Sequence, residues 1–374
     1  MKPLNRSSLV VLILLPASCA FAETTVHGII SMVGRNSNAA DRSNRTIWDV
    51  SPFDPVYATL FFDASVSERL SAFLELYADG RYDRATLHGA YIRYDHTQQL
   101  HLEAGLIPTP VGLWPARAYA DKNPLISTPA IYQYQTSLDV WDELQTSTGE
   151  VLEDRGNAEY AAPIFDFWWN TGVHGYASVG RASFGLALLN GSLSNPQRRI
   201  IYNQPNVAAH ASLAFGPYVT VGGWGAIGPY LASSFGPSVP EGKKLTDYRQ
   251  MTIGLNLHAS AGHWDANAEG LLNRYEHPYF GLLDNAGAYA DVKYTFAVRW
   301  WAASRIDMLG FSHLNADSAN GQRWDYPITR FELGVGRWMS EHAALKLVAQ
   351  FVRYSEAPLA LNDEVYALQF IFKM

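Results

Sequence analysis

Charged side chains recur at alternate positions of apolar-rich segments along this 374-residue chain. Asp63, Glu75 and Glu103 stand at polar positions of the early segments, with Asp79 among them and Arg93 breaking the trend. Lys293, Arg299, Arg305, Arg330 and Lys346, then Lys373, stand at polar positions of the late ones, interrupted by Asp291, Asp307 and Glu332. Asp265 and Glu269 lie between, and a long connector at about 108–165 adds Arg117, Asp121 and Lys122. Charges spread singly over many segments do not make a general acid–base pair, whose members must be within hydrogen-bond reach of a reacting group. They can set up a field. If the segments close into a ring, early acids face late bases, and a transverse field orders water and favours dipolar or charged solutes. The same charges can instead pair across neighbouring strands and stabilise an inner wall. Alternation leaves both open.

Other chemical signals are weaker. Gly223-Trp224-Gly225-Ala226-Ile227-Gly228 matches G-x-G-x-x-G but runs into Pro229 rather than a helix, with no βαβ context, so it reads as a glycine-rich strand. His88, His101, His174, His210 and His258 stand on different segments with no H-x-x-x-H pair, and read as lining residues rather than metal ligands. There is no G-x-S-x-G elbow. The reading is of a non-enzyme without cofactor or metal.

The elements that carry these residues are strands. Met251, Ile253, Leu255, Leu257 and Ala259 oppose Thr252, Gly254, Asn256 and His258; Ala288, Ala290, Val292, Tyr294 and Phe296 oppose Gly287, Tyr289, Asp291, Lys293 and Thr295. The last segment is the clearest, with Tyr366, Leu368, Phe370, Phe372 and Met374 on one face. This is the period of two of a β-strand. About sixteen such segments are expected, including 285–296 and 297–308, joined alternately by short turns and by long connectors at 34–54, 108–165, 191–204, 229–248 and 309–327. A sandwich has no reason to gather its long loops at one end, whereas a transmembrane antiparallel β-barrel does. Charged residues are only 17% and aromatics 13%, which suits a wall with lipid outside. Trp264, Trp338 and Tyr366 are candidates for the interfacial aromatic belts. A net charge of −7 argues against a nucleic-acid partner.

The first 22 residues read as a cleaved secretory signal peptide: Lys2 and Arg6, the apolar run Leu9–Leu15, then Ala20-Phe21-Ala22 before Glu23. Cleavage removes the lone cysteine, Cys19. Residues 23–374 are then an all-β barrel of about sixteen strands with a long loop at about 108–165.

The stretch Ser67–Gly112, SERLSAFLELYADG…LHGAYIRYDHTQQLHLEAGLIPTPVG, resembles the phosphate-selective porin O and P group of Gram-negative outer-membrane porins. The chain's general layout is similar to porins throughout, and its last strand resembles their C-terminal assembly signal, departing from it by ending in Met374. The resemblance implies a water-filled channel for passive diffusion of small hydrophilic solutes or ions, often as a homotrimer. It implies a Gram-negative outer membrane of lipid and lipopolysaccharide, and insertion by the barrel-assembly machinery. It also implies that the third extracellular loop, 108–165, folds inward, the alternatives being an external loop or a subunit contact. That loop carries Asp121, Asp139, Asp142, Glu143, Glu150, Glu153, Asp154 and Glu159 against Arg117, Lys122 and Arg155, hence a negative field. Phosphate selectivity does not follow. The other readings are a non-channel barrel (adhesin or structural) and an outer-membrane hydrolase with Ser and His from adjacent strands.

Overall fold

A computed structural model describes residues 23–37, 56–79, 84–156, 160–165, 169–197, 204–314 and 321–374. The proposed signal peptide, residues 1–22, lies outside the described residues, as does Glu159.

The first eight strands are β1 (Glu23–Ser37), β2 (Tyr57–Ser67), β3 (Leu70–Asp79), β4 (Arg84–Asp95), β5 (Leu100–Ile107), β6 (Asn170–Val179), β7 (Ala182–Leu189) and β8 (Asn206–Phe215). They continue as β9 (Val219–Pro229), β10 (Arg249–Ala261), β11 (Trp264–His277), β12 (Gly281–Ala297), β13 (Trp300–Phe311), β14 (Ile328–Trp338), β15 (Ala343–Tyr354) and β16 (Asp363–Lys373). Each pairs antiparallel with its sequence neighbours, and β1 pairs with β16, so the described strands form one closed barrel. Closure is completed at the chain end, where Gly28 N donates to Met374 O at 3.1 Å and Met374 N to Gly28 O at 3.0 Å. Closure leaves no sheet edge unpaired, which a hydrocarbon environment demands.

The two faces are inverted relative to a water-soluble barrel. On β10, Met251, Ile253 and Leu255 point outward and are 44%, 57% and 71% exposed, while Gln250 and Thr252 point inward and are buried. On β13, Ile306 and Met308 are exposed and Arg305 and Asp307 buried. Apolar outside and polar inside is the pattern of a lipid-facing barrel wall.

Tight turns gather at one rim: Gly180, Gly216 and Gly262 reach the positive φ of 60–69° that their connectors need. The connectors at the other rim include the long segments 108–169, 190–205, 230–248 and 312–327, although β11 and β12 are joined there by only 278–280.

Two expectations are corrected. The strand expected at 297–308 begins at Trp300, because β12 runs on through Ala297 and the tight turn falls at 298–299. Arg299 therefore stands in the β12–β13 turn, exposed and with φ 67°, where its guanidinium donates to Met339 O at 3.4 Å. It does not line the interior. Trp264 and Tyr366 face outward as belt residues should, but Trp338 turns inward, its ring 6.3 Å from that of Trp301 and 4.5 Å from the Lys373 ammonium.

Candidate pore constriction

The segment between β5 and β6 enters the ring of inward side chains. Its first half, residues 113–132, has no strand of its own and satisfies its backbone groups largely with those side chains. Lys346 Nζ on β15 donates to the carbonyls of Ala120, Asn123 and Leu125 at 2.7, 2.7 and 2.9 Å. Glu332 on β14 accepts from the backbone N–H groups of Ile126 and Ser127, each at 3.1 Å, and from the Ser127 hydroxyl. Arg305 on β13 donates to Ser127 O at 2.5 Å and Asn123 Oδ1 at 3.0 Å. Asp307 accepts from Ala130 N at 2.9 Å, and Arg330 donates to Thr128 O. Glu269 on β11 accepts from Tyr132 Oη at 2.8 Å, Trp224 Nε1 at 2.9 Å and Leu113 N at 3.3 Å. A buried carbonyl or N–H without a partner costs about 1–3 kcal/mol, so these side chains supply what a ladder supplies elsewhere.

Arg117 and Tyr119 reach different walls. Arg117 makes a bidentate contact with Asp291 on β12, at 2.8 and 3.1 Å. Tyr119 Oη donates to Glu75 Oε2 on β3 at 2.7 Å, and the other Glu75 oxygen lies 2.8 Å from His88 Nδ1. Counted through β1 and β16, β3 and β12 are seven strands apart in the ring of sixteen. Two residues of one loop thus link nearly opposite walls.

The second half packs on segments at the long-loop rim. Ser147 and Glu150 form a capping box on the short helix Thr148–Glu153, and hydrogen bonds from the Thr146 and Ser147 backbone hold the Glu150 carboxyl below its ordinary range. Asp139 accepts from the N–H groups of Trp141, Asp142 and Glu143 at 2.8–3.0 Å, yet burial raises its carboxyl above the usual value. Asp325, just before β14, accepts from Ser137 N at 3.0 Å, Tyr134 Oη at 3.2 Å and Gly156 N at 3.4 Å. Most of the loop's acids therefore belong to this half, away from residues 113–132.

The residues expected to line a pore divide into groups. Arg305, Arg330 and Lys346 are buried beneath the loop, with Arg330 Nε 3.1 Å from Asp307 and Arg305 within 3.6–3.7 Å of Asp291 and Glu332. The two arginines pair locally and Lys346 holds loop carbonyls, instead of facing the early acids across open water. Glu75 holds the loop from β3, and Arg117, on the loop, reaches Asp291 on the facing wall. Asp121 and Lys122 are 3.9 Å apart on it, Lys122 well exposed. Asp63 faces inward from β2, half-exposed, 3.6 Å from His27; Lys293 lies 5.4 Å from the Trp301 ring. Nearer the short-turn rim, Arg93 contacts Asp95 at 2.8 Å and His101 at 3.1 Å, and Glu103 accepts from Tyr176 Oη at 3.0 Å. Sequence reasoning treated Asp291, Asp307 and Glu332 as exceptions to a basic face, and they are its partners. The available signal was register: β13 and β14 place Arg305 opposite Glu332 and Asp307 opposite Arg330. Tyr119, Ser127, Tyr132 and Asp325 carry no sequence signal, because only tertiary placement brings them to these contacts.

No family model matches the chain. No curated protein matches it either. Among solved structures it is similar to the anion-selective porin from Comamonas acidovorans, with a TM-score of 0.63 at 9% identity over 94% of this chain and 100% of that one. It is also similar to Salmonella typhi OmpF in complex with daunomycin, with a TM-score of 0.61 at 13% identity over 95% of this chain and 98% of that one. A third is OmpT of Vibrio cholerae, an outer membrane protein in a trimer form, with a TM-score of 0.58 at 10% identity over 94% and 99%. Likeness at such identities concerns architecture, and the architecture shared with these outer-membrane proteins is a closed antiparallel barrel, of sixteen strands among the described residues of this chain.

Proposed function

We propose that the chain is an outer-membrane porin: a water-filled channel for passive diffusion of small hydrophilic solutes or ions, narrowed by the loop at 108–165, with no catalytic role. The observation that carries this reading is the link from Asp291 on β12 through Arg117 and Tyr119 to Glu75 on β3. It holds a loop across the barrel interior by charged and polar contacts while leaving half-exposed groups such as Asp63 beside it. Lys122 on the loop, with Asp63 and Asp265 on the wall, gives the passage both signs of charge. Small charged or dipolar solutes are the cargo such a lining favours. The solute itself stays open, since the local resemblance to phosphate-selective porins brings no matching arginine ladder or lysine cluster. Export by cleavage after Ala22, insertion by the barrel-assembly machinery, a surround of outer-membrane lipid and lipopolysaccharide, and a homotrimeric assembly complete the proposal.

The test is planar-bilayer recording of the purified protein in a KCl gradient. Stepwise current with a reversal potential set by the lining is the expected result. Protein that inserts, migrates as a heat-modifiable barrel and passes no stepwise current would reject the channel.

A further inference from the structure

His174 on β6 and His210 on β8 are two strands apart and far apart in sequence, yet their Nε2 atoms approach to 3.3 Å. Both point inward, and Gly185 on the intervening β7 lets them meet. A Cβ built at Gly185 would collide with both rings' Nε2 atoms, so the glycine leaves the gap that the imidazoles fill. The neighbouring groups orient them. Glu103 Oε2 lies 3.5 Å from His174 Nδ1, and the Tyr176 ring stacks on His174 with centroids 4.9 Å apart. Tyr176 is itself held through its hydroxyl to Glu103 at 3.0 Å.

We infer that His174 and His210 form a bidentate site for a divalent transition metal ion on the inner wall of the barrel, with Glu103 as a positioning residue. Zinc–imidazole bonds of about 2.0–2.1 Å at a tetrahedral angle put two ligand nitrogens roughly 3.3–3.4 Å apart. The two Nε2 atoms already have that spacing. A carboxylate on the far nitrogen of a ligating histidine is the usual second partner, since it fixes the tautomer that leaves Nε2 free to bind. Among the described residues no group of three His, Cys, Asp or Glu side chains is close enough to hold a metal. Water or a passing solute would therefore complete the coordination, as suits a reversible site rather than a structural one. Imidazole donors favour Cu²⁺, Ni²⁺ and Zn²⁺, whereas Mg²⁺ and Ca²⁺ take oxygen ligands. The competing account of the 3.3 Å contact is an imidazole–imidazole hydrogen bond with no ligand.

Titration of the purified protein with Cu²⁺, followed by electron paramagnetic resonance and calorimetry, separates the two. One site per chain with two nitrogen ligands is expected. His174→Ala and His210→Ala should each abolish it, and Glu103→Gln should weaken it by roughly 10–100-fold. Zn²⁺ should compete, and Mg²⁺ should not. Heat-modifiable migration establishes that each variant folds; should His174→Ala fail it, His210→Ala serves alone. Wild-type affinity retained in His210→Ala, or no stoichiometric Cu²⁺ in the wild type, overturns the site. The functional consequence rests on the channel reading and has its own arm: Zn²⁺ should reduce the wild-type current and leave that of His210→Ala unchanged. Cu²⁺ bound to protein that passes no current would reject the channel and leave the metal site standing. Metal-free current that Zn²⁺ does not alter, with no Cu²⁺ bound, would do the reverse.

Discussion

The Lys346 ammonium lies 2.7 Å from the backbone carbonyl of Asn123, a residue 223 positions away in sequence. It also holds the carbonyls of Ala120 and Leu125, so a single cation on β15 fastens one whole bend of the loop. Both partners lie inside a closed ladder that does not depend on them, which makes loop docking and barrel closure separable.

Lys346→Met keeps the length and apolar stem of the side chain and removes three hydrogen bonds. Each buried carbonyl left alone costs about 1–3 kcal/mol, enough to shift the loop rather than the barrel. The expected result is a barrel that remains heat-modifiable, with single-channel current that is larger or flickers between levels. Current identical to the wild type would show that the 120–125 bend does not narrow the passage.

Arg330 and Asp307 are both buried, directly opposite each other on β13 and β14, and both hold the loop. Removing one partner of a buried ion pair leaves an uncompensated charge and costs about 3–5 kcal/mol. Arg330→Ala and Asp307→Ala should therefore each destabilise by about that amount, and the double variant by clearly less than the sum. Denaturant unfolding in detergent micelles measures the cycle. Additive effects would mean that the pair contributes nothing beyond its separate contacts to the loop.

Burial pushes the Asp325 carboxyl up to about 7 despite its accepting from Tyr326 N, Ser137 N and Gly156 N. Its unfolded reference is about 3.9. The folded pKa is the higher one, so the stability this group contributes is fully present below about 4 and is lost as pH rises through about 7. The part of the loop it holds, near Ser137 and Gly156, should be more resistant to proteolysis at pH 5 than at pH 8. Asp325→Asn should flatten that dependence. A cleavage rate equally pH-dependent in both proteins would assign the effect to other groups.

How much of this was legible in the sequence follows from what each feature depends on. Outward Met251, Ile253 and Leu255 alternate with inward Gln250 and Thr252, and alternation is local, so the strands and their faces can be read directly. Arg299 has the parity of the inward Trp301 and Arg305, and only the exact position of the two-residue turn, for which Val298-Arg299 carries no glycine, proline or asparagine signal, takes it out of the wall. Arg305, Arg330 and Lys346 were recognisable as inward cations, but not as ligands of a loop. The loop at 108–165 has no period to follow, and its partners lie on strands up to 226 residues away in sequence. The meeting of His174 with His210 likewise needs the register of three strands, with Gly185 as its one local trace.

Arg117 and Asp291 offer the sharpest test of how charge at the crossing affects ions. The carboxylate of Asp291 is fully buried and the guanidinium is 17% exposed, so the pair shows the passage little net charge. Arg117→Ala uncovers an acid on the wall, and Asp291→Asn leaves a cation on the loop. At 0.1 M salt the screening length is about 10 Å, comparable to the reach of a charge across a narrowed passage; at 1 M it is about 3 Å. Reversal potentials in a KCl gradient near 0.1 M should therefore move toward K⁺ selectivity in Arg117→Ala and toward Cl⁻ selectivity in Asp291→Asn, and both shifts should shrink near 1 M. Opposite signs are what make the pair informative. Loss of the Arg117 anchor alone would loosen the loop in both variants and move both potentials the same way, toward the unselective value of a wider pore. Movement in one direction would thus assign the pair a mechanical role, and movement in opposite directions an electrostatic one.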